Sequence, residues 1–210
     1  MNTPPGKPSA QSPHFYFRDR GMLILEAENV LFRVHEHFLH RDSPVLRDLV
    51  PTEISNTGPE AIFHLDGVKS KDLEHLLWLY YNPLITDYTA PRSTWLAILR
   101  LADRFSMTRP AQIALEHLMA PTATANTDPL ERIMLCERPD MSRSDARDAY
   151  VRVCTREAAL TAEEIARLSP AVVGIIGAAR ERILRMRSGL EDEVVEVVQR
   201  ALEQAEGESD

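Results

Sequence analysis

The residues most suggestive of chemistry sit close together: His35, Glu36, His37 and His40. Imidazoles beside a carboxylate are the raw material of a metal site, and a metal so held can activate water. The order here is H-E-H-x-x-H. It departs from H-E-x-x-H, which puts two imidazoles one helical turn apart with a glutamate between them. His37 and His40 are three apart and can share a helix face. However, no distant Asp, Glu or Cys is evidently paired with them, and a site needs three or four ligands. A metal-dependent enzyme using His35, His37 and His40 is therefore kept only as an alternative of another class, and no metal or cofactor is expected. The plainer expectation makes His35 a buried, hydrogen-bonded residue at a strand–helix junction. Its partner would be Ser43 or a backbone group. His37 and His40 would lie on the surface.

Other catalytic arrangements find less support. The chain has no G-x-S-x-G, and neither cysteine, Cys136 or Cys154, sits beside a candidate base. Both lie in helix-like apolar segments and read as buried thiols. Gly174 and Gly177 fall within an apolar helical stretch and are no phosphate loop; close helix packing is the expected reason for them. Asp66 and Asp72, and Glu163 with Glu164, read as turn, cap and solvated-face residues. No catalytic residue is expected.

The elements that would position these groups follow from pattern. Residues 1–13 hold four prolines and little to bury, so they read as a disordered lead-in. An aromatic segment, Phe15-Tyr16-Phe17, comes next. Met22–Leu25 and Val30–Val34 are β-prone runs around a short polar break, the pattern of a hairpin. A short helix follows from His35, then a second from Ser43-Pro44, with Ser as cap and Pro in the first turn. Ala61–Leu65 reads as a third strand. Ser70 caps a helix to Tyr81, whose Leu73, Leu76, Leu77 and Tyr80 recur at helical spacing. Ser93 or Thr94 caps the next helix, with Trp95, Leu99, Ala102 and Phe105 as its apolar stripe. Thr108 caps another, with Ile113, Ala114, Leu118 and Met119 facing inward. Residues 121–127 form a linker. Beyond it only helices are expected, near 128–137, 143–157, 161–168, 170–187 and 190–204, with a fraying tail at 206–210.

Composition narrows the class. The 210 residues carry 24 basic and 32 acidic side chains, a net charge of −8. Phosphate-backbone binding draws on clustered cations, so direct nucleic-acid binding is not expected. No apolar run reaches a membrane span, and residues 1–13 have no hydrophobic stretch of a signal peptide. Two isolated cysteines fit a reducing compartment. An intracellular protein, cytoplasmic or nuclear, is expected.

Four ordered motifs then resemble the BTB/POZ family. Phe32-Arg33-Val34-His35 matches its F-x-V-H, followed by Leu39, Ser43 and Pro44 at the family spacing, with Asp19 placed to open the preceding strand. Ile62-Phe63-His64-Leu65 is similar to its I-x-L strand. Leu73, Leu76, Leu77 and Tyr81 match its next helix. Leu99-Arg100-Leu101-Ala102-Asp103-Arg104-Phe105-Ser106-Met107 fits L-x-L-A-D-x-F-x-M. Further on, Leu160–Leu168 and Ala179-Arg180-Glu181 resemble the helical tail of the fungal, mushroom-type BTB proteins.

The resemblance implies an α+β fold. A BTB/POZ core over 14–120, a small mixed sheet flanked by helices, would precede an all-helical extension over 128–205. It makes Asp19, Phe32, Val34, His35, Leu39, Ser43, Leu77, Tyr81, Ala102, Asp103 and Met107 family-motif structural residues. It also implies a non-catalytic scaffold or adaptor. Its partner would be another protein: a second copy of itself, or cullin-3 if the chain is a ubiquitin-ligase substrate adaptor. No membrane or small-molecule substrate is implied. Two departures bear on this. Residues 1–13 are too short and proline-rich for the N-terminal helix that many animal members swap across a dimer. Val50-Pro51-Thr52-Glu53 has two spacers where the cullin-binding motif has one.

Overall fold

A computed structural model describes residues 10–16, 22–49, 62–82, 89–120, 127–186 and 191–207. The chain divides into two compact units, Met1–Ala123 and Thr124–Asp210. Among the described residues, no helix is long and apolar enough to cross a membrane.

The first unit holds a four-stranded mixed sheet in the order β1-β3-β2-β4. Its strands are β1 (Ala10–Tyr16), β2 (Met22–Ala27), β3 (Val30–His35) and β4 (Ile62–His64). β2 and β3 form the expected hairpin, antiparallel from Met22↔His35 to Ala27↔Val30. Glu28 and Asn29 make its turn with φ of 49° and 61°. Positive φ at both central residues matches the right-handed twist of a hairpin. β1 and β4 run parallel to β3 and β2.

β1 corrects one expectation. It starts at Ala10, inside the stretch 1–13 expected to be disordered. The Ala10 N–H donates to the Asn29 carbonyl at 3.0 Å, and Ser12 is only 3% exposed. Pro13 falls where the β1–β3 register shifts, between Gln11 and Tyr16, so the ladder needs no N–H from it.

Among its described residues, five helices complete this unit: α1 (Glu36–Asp42), α2 (Pro44–Leu49), α3 (Ser70–Tyr81), α4 (Arg92–Arg104) and α5 (Thr108–Met119). Leu25, Phe32 and Val34 of the sheet and Leu39, Leu76 and Ile98 of the helices are core, each 1% exposed or less. Three caps differ from expectation. Ser70, Ser93 or Thr94, and Thr108 lie inside their helices; Lys69, Pro91 and Met107 precede them and offer no side-chain cap. For α3 the cap comes from elsewhere. The Glu28 carboxylate accepts from the Ser70 N–H at 2.9 Å and from its hydroxyl at 3.1 Å. A negative charge at a helix N-terminus is favoured by the helix dipole.

The described residues of the second unit form helices and connecting turns, with no strand among them. It comprises α6 (Pro129–Leu135), a 3₁₀ turn (Arg143–Ala146), α7 (Arg147–Thr155), α8 (Ala162–Arg167), α9 (Pro170–Arg185) and α10 (Glu191–Gly207). α10 runs three residues past Gln204, into the tail expected to fray. Ile133, Tyr150, Val153, Val172, Ile176 and Val198 fill the core. Cys136 and Cys154 are buried, unpaired thiols, each pushed up to about 11 by burial.

α8 buries none of its residues. Polar bonds hold it instead. Thr161 and Glu164 form a capping box, and Arg156 donates to Glu164 at 2.8 Å. The Arg156 guanidinium and the Thr161 N–H hold the Glu164 carboxyl down at about 2. On α9, Ala179 is buried and Arg180 donates to the Val153 carbonyl at 2.9 Å, tying α9 to α7.

Gly174 and Gly177 do not serve close helix packing, contrary to expectation. A Cβ built at either meets nothing within 4 Å. Glycine inside a helix costs roughly 0.5–1 kcal/mol relative to alanine. Gly177→Ala should therefore stabilise the second unit by about 0.5–1 kcal/mol, read as a raised urea midpoint. An unchanged or lowered midpoint would show that Gly177 does work its surroundings do not reveal.

Candidate protein-interaction surface

The motif residues of the first unit meet in pairs. Ser43, 0% exposed, stands between α1 and α2. Its hydroxyl donates to the Phe105 carbonyl at 2.7 Å and accepts from the Leu46 N–H at 2.9 Å. One side chain thus caps α2 and locks the α1–α2 corner to the end of α4.

That end has a shape of its own. The Ser106 N–H reaches the Asp103 carbonyl and the Met107 N–H reaches the Ala102 carbonyl, at 3.2 and 2.7 Å. Ser106 takes φ of 53°. This is a Schellman turn, with its usual apolar pair in Ala102 and Met107, each 1% exposed. The turn accounts for the spacing of Leu-Ala-Asp-x-Phe-x-Met. Ala102 and Met107 close it apolar to apolar, and Phe105 is left with a carbonyl free to take the Ser43 proton.

The second pair is His35 and Tyr81. The Tyr81 hydroxyl accepts from the His35 backbone N–H at 2.9 Å and lies 2.9 Å from its ring Nδ1. Burial raises the Tyr81 hydroxyl above its ordinary value, and the bond from His35 partly offsets this. The expected partner of His35 was Ser43 or a backbone group; Ser43 is committed to Phe105 instead. Phe38 stacks on Tyr80 and meets Tyr81 edge-on, both at 5.5 Å. Phe15 of β1 reaches Tyr81 at 5.8 Å.

Phe32, Val34, Leu39 and Leu77 are core, as are Ala102 and Met107, while Asp103 is exposed. Asp19 and the segment Val50–Glu53 lie outside the described residues. His37 is exposed and His40 half-buried. Among the described residues, no three His, Cys, Asp or Glu are grouped to hold a metal ion.

Two outward-facing apolar residues share one helix. Val45 and Leu49, one helical turn apart on α2, are 41% and 46% exposed, while Leu46 between them is 1% exposed. Leu46 pins the helix and Ser43 caps it, so the two outward side chains are held on a rigid support. Arg47 and Asp48, both exposed, flank them. Apolar residues rimmed by charge are the make-up of a protein interface. Sequence reading did not single out this pair. The signal available was small, since the chemistry of Val45, Leu46 and Leu49 alone does not say which of them faces outward.

Comparison with known proteins agrees with this architecture. The BTB/POZ domain family model matches residues 22–121, from the start of β2 to just past α5. No curated protein matches the chain. The matched span holds the hairpin, the Ser43 corner and the Schellman turn. Residues 22–121 of this chain are a BTB/POZ domain, a module for protein–protein interaction.

Proposed function

We propose that this chain is a scaffold or adaptor whose first unit associates with a second copy or with another protein through α2. The exposed Val45–Leu49 pair on its pinned helix carries this reading. Burying it removes apolar surface from water, while Arg47 and Asp48 supply a polar rim. The two buried, unpaired thiols support a reducing, intracellular setting.

The test is Val45→Asp with Leu49→Asp in the full chain. Wild type should associate with rising concentration by light scattering coupled to size exclusion. The double variant should associate about 30–900-fold more weakly, since each buried side chain is worth about 1–2 kcal/mol. Equal association of the two proteins sinks the reading. A cullin-3 pull-down with both proteins tests the finer role of ubiquitin-ligase substrate adaptor; recovery of cullin-3 by neither removes it.

A further inference from the structure

We draw no further inference here: the strongest candidate, the groove between α9 and α10 lined by Gly174, Ala178 and Ala201, is a stripe of small residues, and nothing in the structure shows what covers it.

Discussion

Phe32→Ala should destabilise the first unit by about 3–5 kcal/mol, the cost of deleting a fully buried aromatic ring and leaving a cavity. Phe32 is 0% exposed and stands opposite Leu25, also 0% exposed, in the hairpin register. Both lie in the central strands of the sheet, which have least freedom to collapse onto a void. A domain holds about 5–15 kcal/mol in all, so this one ring carries a large share. Urea unfolding should show an earlier midpoint with little change in slope for the first unit. A midpoint within about 1 kcal/mol of wild type would mean that the helices above the sheet close over the cavity.

Ser43→Ala should cost about 2–4 kcal/mol, although it removes a single oxygen. Loss of an N-cap accounts for about 1 kcal/mol. The rest comes from the Phe105 carbonyl, which loses its donor in a buried site and pays about 1–3 kcal/mol of desolvation. The effect should exceed that of removing a cap in an exposed helix, because one hydroxyl serves two elements. Thermal unfolding followed by circular dichroism reads it directly, and a loss below about 1 kcal/mol would show that the bond to Phe105 is replaced. The consequence reaches function. The hydroxyl that caps α2 also fixes the attitude of Val45 and Leu49, so loosening the corner should weaken association along with stability.

These two residues show different degrees of legibility. Phe32 could be read as core from the alternation of its strand. Ser43 could be read as a cap, since Ser before Pro at a helix start is a local signal. Its bond to Phe105 could not be read, because it joins positions 62 residues apart through a carbonyl that every residue possesses. The same holds for Glu28. A glutamate in a tight turn is an odd choice locally, and its use as the cap of α3 appears only when hairpin and helix are brought together.

Local pattern misled where tertiary context overrode it. The proline-rich start was read as disordered to residue 13, yet β3 offered an edge to which Ala10–Tyr16 could bond. Gly174 and Gly177 suggested close packing, since apolar neighbours usually mean a buried helix. The structure leaves both glycines open, with nothing within 4 Å of a Cβ at either.

The sequence by itself pointed to the BTB/POZ core through its ordered motifs, and periodicity marked many of its buried residues, such as Leu73, Leu76, Leu77, Trp95, Leu99 and Ala102, because both are local properties of a chain. It also showed that His35, Glu36, His37 and His40 depart from the H-E-x-x-H order. The tertiary structure decided which polar groups answer one another: Ser43 with Phe105, His35 with Tyr81, Glu28 with Ser70. It also decided which apolar residues face water. Val45 and Leu49 have the same chemistry as Leu46 between them. Only packing against the rest of the unit distinguishes the residue that holds α2 in place from the two that are left to meet a partner.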